Sequence, residues 1–390
     1  MVMFMLLRDK NSITWSAMIT GFAQNGEPYK ALELFARMHS VDVRPSEFTF
    51  VGVLNACSDH SSMTEGKGAH CFLLKLGFES QVYIKSALVD MYAKCFCIND
   101  AKSAFDSLHE RDIILWTTMI TAYVQNGEYE DALTLYSLIE NEGILPNNLT
   151  ITGALCACSS LVAFEQGKQI HARSLKYGFG LGIPLGSALS TMYAKCGNLE
   201  DCNLVFRRMP YRDVVAWNSI ISSYSQNGCG NDALTLFEEM KSEGRQPDHV
   251  TFINVLNACS HMGLVDRGWD YFRSMQSLYC LAPRIEHFAC MVDMLSRTGK
   301  FEEAKNLIES VPIDHGTCLW RILLGACRHK KNFHFGAYAG EKLMELGSND
   351  SSTYILLSNI YAAWNKWDDV ERVRRTMKFR GVNKEPGAVG

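Results

Sequence analysis

Trp15, Trp116 and Trp217 stand 101 residues apart, and the sequence around them repeats with the same step. Asn25-Gly26 returns as Asn126-Gly127 and Asn227-Gly228, and Pro45 returns as Pro146 and Pro247. Ala56-Cys57-Ser58 returns as Ala157-Cys158-Ser159 and Ala258-Cys259-Ser260. A fixed internal period restricts the chain to an array of stacked units before any local pattern is weighed.

Each period divides further. Trp116, Met119, Ile120 and Tyr123 fall at i, i+3, i+4 and i+7, one face of a helix. Asn126-Gly127 stops that helix, glycine supplying the left-handed residue that helix ends favour. A second helix carries Ala132, Leu135, Tyr136 and Ile139 on one face and ends at Gly143 and Pro146. The unit is helix, turn, helix, turn, with helices of about 11 residues, or about 16 Å. Residues 148–182 form another such pair, and 183–213 a shortened one. A lone pair cannot bury its apolar face, so neighbours must stack. The expected fold is all-α, a right-handed α-solenoid superhelix of helix-turn-helix repeats. Ser348 to Ser352 is expected to be only a turn between pairs.

Composition fits a long continuous core, with 47% hydrophobic residues. A net charge of −4 gives no global attraction to nucleic acid or anionic lipid. No apolar run reaches the roughly 18 residues of a membrane span, so no membrane partner is expected. The apolar start, Met1 to Lys10, is too short for a secretory signal and lacks the length and Arg/Ser content of a transit peptide. Of the 14 cysteines, Cys57 recurs with Cys158 and Cys259, and Cys95 with Cys196, inside apolar helical segments. They are expected to be small buried side chains in a reducing compartment, not a disulfide framework.

These residues resemble the plant pentatricopeptide repeat proteins of the PLS class. Val214 to Ile221, continuing to Gln246-Pro247-Asp248, resembles the standard motif. Ser86 to Cys95 and Ser187 to Cys196 resemble the short motif, and Gly66 to His70 and Gly167 to His171 the long one. The resemblance spans residues 12–384 and frames nine repeats: 12–46, 47–81, 82–112, 113–147, 148–182, 183–213, 214–248, 249–284 and 285–316. Residues 1–11 look like the remnant of a preceding short repeat. Two degenerate units, 317–350 and 351–384, resemble the E extension through Leu324 to Arg328 and Leu357 to Ala362. Lys384 to Gly387 is similar to the junction at which relatives continue into a DYW-type deaminase domain, and 385–390 reads as a truncated tail. The sequence leaves open whether the protein is naturally short or a fragment.

The resemblance implies binding of single-stranded organellar RNA, one base per repeat, usually to direct cytidine-to-uridine editing. The fifth and last residues of a motif read the base and are expected to face the concave groove. Asn218 with Asp248 resembles a uridine reader, and Thr117 with Asn147 an adenosine reader. Ser86 with Asp112, and Ser187 with Asp213, resemble guanosine readers, and Ser16 with Ser46 suggests a purine. Val51/Gln81, Thr152/Gly182 and Ile253/Arg284 are expected to select poorly. Ile13, Ile114, Val215 and Val250, at second positions, would sandwich the bases. The implied target is 5′-R-N-G-A-N-G-U-N-N-N-N-N-C. A plainer account of the polar residues is that they begin helices and fill turns. The tryptophans are expected to pack in the core, and His70 and His171 to be architectural.

Deamination needs a zinc-activated water and a glutamate, written H-x-E with a later C-x-x-C. None of the eleven histidines is followed two positions on by Glu, and no two cysteines stand three apart. Gly66-Lys67 and Gly167-Lys168 lack the rest of a phosphate-binding loop. The expectation is therefore a non-enzymatic RNA adaptor without cofactor, recruiting a DYW-type deaminase or other editing factor in trans. It would act in the mitochondrion, with the chloroplast as alternative. A protein-binding scaffold resembling tetratricopeptide arrays, or an RNA-processing or stabilisation factor, are the competing readings.

Overall fold

The computed structural model describes residues 11–78, 81–108, 111–311 and 316–382. Apart from Asn11, the expected N-terminal remnant lies outside the described residues, as do the Lys384 to Gly387 junction and the tail that follows. Every regular element among the described residues is an α-helix, and the chain is an α-solenoid. It divides into two compact units, Met1–Cys196 and Gly197–Gly390.

The first unit contains α1 (Ser12–Gln24), α2 (Pro28–Ser40), α3 (Glu47–His60), α4 (Met63–Lys75), α5 (Val82–Lys94), α6 (Ile98–Asp106), α7 (Ile113–Gln125), α8 (Tyr129–Asn141), α9 (Asn148–Leu161), α10 (Phe164–Lys176) and α11 (Ile183–Lys195). Its odd-numbered helices stack in one row, each against the next. The even-numbered helices form an outer layer that wedges between consecutive members of that row.

The second unit contains α12 (Leu199–Arg208), α13 (Val214–Gln226), α14 (Gly230–Ser242), α15 (His249–Met262), α16 (Val265–Tyr279), α17 (Ile285–Arg297), α18 (Phe301–Glu309), α19 (Gly316–His329), α20 (Phe333–Glu345), α21 (Ser351–Ala363) and α22 (Trp367–Phe379). From α13 onward the odd helices again stack in a row, and the even helices cover it. The helices of the inner rows run 13 or 14 residues, longer than the apolar spacing suggested. The reason is at the N-terminus: Asp112 and Asp213 cap a turn that precedes the first core residues. Likewise Ser351 and Ser352 already belong to α21, whose cap is Asp350.

The tryptophans are core residues, Trp15, Trp116 and Trp217 being at most 3% exposed. Phe105 meets Trp116 edge-on at 5.1 Å between ring centroids, and Phe206 meets Trp217 at 4.8 Å. The Arg111 and Arg212 guanidinium groups lie over these same ring pairs. The indole N–H groups of Trp116 and Trp217 find no acceptor among the described residues, so the rings serve by volume and shape. Cys57, Cys158 and Cys259 are wholly buried, Cys95 and Cys196 at the helix ends are only half-buried, and all 14 cysteines are free thiols. Burial pushes Cys57 and Cys158 up to about 12 and Cys259 up to about 11, which keeps them protonated and unreactive. In the neighbouring serines, Ser58 donates to Asp90 and Ser260 to Asp293 on the next inner helix, at 2.9 and 2.7 Å.

Gly127, φ 81°, makes the left-handed turn expected after α7. The equivalent turn after α5 is made by Phe96, φ 59°, with its ring largely in solvent. A Cβ in the left-handed region costs about 1–2 kcal/mol, and this ring has little burial to offset it. Phe96→Gly should therefore raise stability by about 1 kcal/mol, read as a higher urea midpoint. Trp217→Ala should cost about 3–5 kcal/mol in the same assay, and Trp217→Phe clearly less because no hydrogen bond is lost.

Candidate nucleic-acid interface

Most of the inner helices begin on short polar residues for a local reason. The first N–H groups of a helix have no intrahelical acceptor, and a side-chain oxygen at the N-cap supplies one. Ser46 accepts from the Thr49 N–H, Asp112 from Leu115, Asn147 from Thr150, Asp213 from Ala216 and Asp248 from Thr251, at 2.8–3.3 Å. The five last-position residues singled out from the sequence are therefore all helix caps. A cap needs one oxygen. Asp and Asn each keep a second polar atom, and Ser does not.

Stacking of the inner helices brings each cap toward the helix before it. Asn218 Nδ2 donates to Asp248 Oδ1 at 2.9 Å, and the Thr251 hydroxyl donates to Asn218 Oδ1 at 2.6 Å. Thr117 reaches Asn147 through a third residue: Thr117 Oγ1 lies 2.7 Å from Thr150 Oγ1, which lies 3.0 Å from Asn147 Oδ1. Ser16 Oγ lies 3.0 Å from Ser46 Oγ and 2.6 Å from Thr49 Oγ1. Three of the expected pairs are thus hydrogen-bonded units in the structure. The members are unequally exposed: Ser16, Thr117 and Asn218 are buried, while Ser46, Asn147 and Asp248 are half-buried. The last residue, not both, presents most of the polar edge.

Ser86 is different. Its hydroxyl has no hydrogen-bond partner among the described residues, and it is not joined to Asp112. Leu115 stands where Thr49, Thr150 and Thr251 stand in the linked pairs. The Ser187 hydroxyl is also without a partner among the described residues. Ser187 lies in the first unit and Asp213 in the second.

Burial raises the Asp248 carboxyl, but hydrogen bonds led by the Thr251 N–H and the Asn218 amide outweigh it, and the net value falls below the usual carboxylate range. Asp248 is therefore an anion that can accept from a base N–H.

Ile13, Ile114, Val215 and Val250 stand in solvent at 50–76% exposure, each in the first turn of an inner helix. Phe48, Tyr83 and Leu149 occupy the same register and are as exposed, at 65–73%. The sequence reading passed over these three, although counting one residue past each helix start finds them. Over Ser16 and Ser46 lies an open cleft of about 770 Å³ walled by Ile13, Phe48 and Phe78. Apolar walls around a hydrogen-bonding floor suit a flat heteroaromatic ring.

His70 and His171 each hold a tyrosine of the next inner helix, Tyr92 and Tyr193, at 2.8 Å, which is an architectural role. Among the described residues no group of three or more His, Cys, Asp or Glu is placed to hold a metal ion. No described helix is long and apolar enough to cross a membrane.

Sequence profiles for the PPR repeat family match residues 10–59, 111–160 and 212–261, and the PPR repeat matches 187–214, 250–280 and 286–311. The E motif matches 330–389. This chain carries pentatricopeptide repeats and an E motif. A pentatricopeptide repeat-containing protein of Arabidopsis thaliana, At2g33680, is 58% identical over 97% of this chain and 52% of its own length. Two further Arabidopsis thaliana relatives are At2g03880, mitochondrial, at 41% identity, and CRR2, chloroplastic, at 39%. They align over 99% and 97% of this chain and over 60% and 59% of their own lengths. The chain thus spans about half to three fifths of these relatives. The pentatricopeptide repeat protein PPR10, solved with an 18-nt psaJ RNA element, shares the fold, with a TM-score of 0.68. That match has 15% identity and covers 95% of this chain and 61% of PPR10.

Asp248→Ala removes the cap and should cost about 0.5–2 kcal/mol, while Asp248→Asn keeps the capping oxygen and should cost less. Thermal melts followed by circular dichroism decide this. Because the folded pKa lies below the unfolded value of 3.8, the Asp248 contribution is present above that pH and fades as pH falls through the lower folded value. The gap between wild type and Asp248→Asn should narrow accordingly in acid melts.

Proposed function

We propose that this chain reads single-stranded organellar RNA one base per repeat and marks cytidines for conversion to uridine. In this reading it has no catalytic site of its own and recruits a DYW-type deaminase or another editing factor in trans through its E motif. The repeats take the PLS-class frame set out above, and 317–384 forms the E extension. The mitochondrion is the proposed compartment and the chloroplast the alternative, since relatives are named for each.

The observation that carries this reading is the bonded pair Asn218–Asp248. Asp248 Oδ1 is occupied by the cap, so Oδ2 is the atom available to a base, and it can only accept. Asn218 commits Oδ1 to Thr251 and one N–H to Asp248, which leaves one N–H to donate. An acceptor beside a donor matches uracil, whose N3–H adjoins a carbonyl. At Asn147 the capping oxygen is likewise occupied, and the free Nδ2 group can only donate. That suits the ring nitrogen of adenine. Val215 and Val250, both exposed, would cover the faces of the uracil. That PPR10 was solved with RNA in the same fold supports the reading.

Selection from a random RNA pool tests the proposal. The wild type should enrich uridine six positions before the cytidine and adenosine three positions further upstream. Asn218→Thr should move the first preference toward guanosine and leave the second in place. Asp248→Asn exchanges an acceptor for a donor and should move it toward cytidine. Each satisfied pair should be worth about 1–3 kcal/mol of discrimination, on the scale of base-edge contacts. A folded protein that enriches no sequence would sink the proposal.

A further inference from the structure

We infer that Thr251, Thr150 and Thr49 are specificity-positioning residues: each hydroxyl locks the base-reading pair formed across the junction before it. The inference rests on the reading proposed above and adds to each pair a third residue that touches no base. All three threonines are wholly buried. Each stands at the third residue of its inner helix, facing the fifth residue of the preceding inner helix.

The bonding pattern shows what the hydroxyl does. Thr251 Oγ1 accepts the Asp248 N–H at 3.1 Å and stands 2.6 Å from Asn218 Oδ1 and 2.9 Å from Asp248 Oδ1. Its single hydrogen satisfies the Asn218 oxygen, because Asp248 Oδ1 already accepts the Thr251 and Asn218 N–H groups. The amide is then pinned at both ends, its oxygen toward Thr251 and its nitrogen toward the carboxylate. Reversing it would set two oxygens against each other at the carboxylate and take from the hydroxyl the acceptor it now serves. So Thr251, together with Asp248, fixes which edge of Asn218 meets the base, and the hydroxyl holds the end that the carboxylate does not reach. A methyl-bearing hydroxyl suits the place, since the methyl fills buried volume while the oxygen joins three polar groups.

The same arrangement recurs at two other junctions. Thr117 donates its hydrogen to Ile113 O at 2.7 Å, so toward Thr150 its oxygen can only accept. Ser16 does the same through Ser12 O at 2.7 Å and faces Thr49 as an acceptor. Where Leu115 replaces the threonine, Ser86 is left without a partner. Where His287 replaces it, the imidazole accepts the Arg284 N–H at 3.1 Å and reaches back to His249 O at 3.0 Å. There is no polar fifth residue for it to hold, since that position is Ile253.

The test compares wild type, Thr251→Val and Thr251→Ser for binding RNAs that differ only at the base opposite Asn218. Valine keeps the volume and removes the hydroxyl; serine keeps the hydroxyl. Removal of one hydrogen bond should reduce the uridine-over-cytidine ratio about 3- to 10-fold, while serine retains it. Preference at the base opposite Thr117 should not change in either variant, and Thr150→Val should show the converse. A role in stability alone would weaken all RNAs equally and leave the ratio intact, and that result overturns the inference. If Thr251→Val does not fold, the serine variant and Thr150→Val carry the test: retained selectivity in the first and lost selectivity at one base in the second support it, and any other pattern overturns it. Absence of base preference in the wild type would remove the proposed function itself, and the inference with it. A wild-type preference that survives Thr251→Val and Thr150→Val would remove the inference alone.

Discussion

The helix N-cap is the contact on which the rest of this structure depends. Each inner helix must place an acceptor over its first free N–H groups, and in most of them a short polar side chain provides it. That need fixes where the helix begins, which sets the register of everything packed against it. It also fixes one oxygen of the capping residue in space, so that its remaining polar atom points out in a defined direction. The plainer account of these residues as helix starters and the proposed account as base readers are therefore not rivals. One side chain meets both requirements with two different atoms.

Stacking completes the arrangement. No described helix exceeds 15 residues, too short to be stable alone in water, so each unit holds together through contacts between neighbouring helices. The close approaches are met with small residues: Gly66, Gly167 and Gly268 face the thioethers of Met91, Met192 and Met294 so closely that a Cβ would push the thioether aside. Methionine fits such gaps because its chain bends around them. The same stacking sets the cap of one inner helix against the fifth residue of the one before, which is how residues about thirty apart in sequence become a bonded pair.

Much of this was legible in the sequence, for identifiable reasons. The period gave the solenoid, and the glycine after Asn126 gave the turn. The apolar spacing around Trp116 gave the buried face, because each of these follows from a local rule. Helix length was underread because the capped first turn carries little apolar signal: Ile114 faces solvent and the periodic run starts at Leu115 and Trp116. Phe48, Tyr83 and Leu149 were passed over although they share a register with Ile13, since aromatic and leucine side chains look like core by composition. Thr251 was out of reach for a different reason. Its partner Asn218 lies in the preceding repeat, and only stacking reveals that a buried hydroxyl joins the two. The unpartnered Ser86 could not have been foreseen either, because serine at that position reads the same whether or not a threonine faces it.

Capping has a consequence for how such a chain can change over generations. A residue that caps the helix at this junction offers one oxygen to the backbone, and among the caps seen here only aspartate and asparagine have a further polar atom to spare. The two differ by a single nucleotide in their codons and are near-equal as caps. On the reading proposed here, one point mutation would exchange an acceptor for a donor on the outer edge while the helix beneath it stays intact. Recognition could then drift from one base to another without passing through an unstable intermediate. The vocabulary is small because the backbone restricts it, and for the same reason moving between its words is easy.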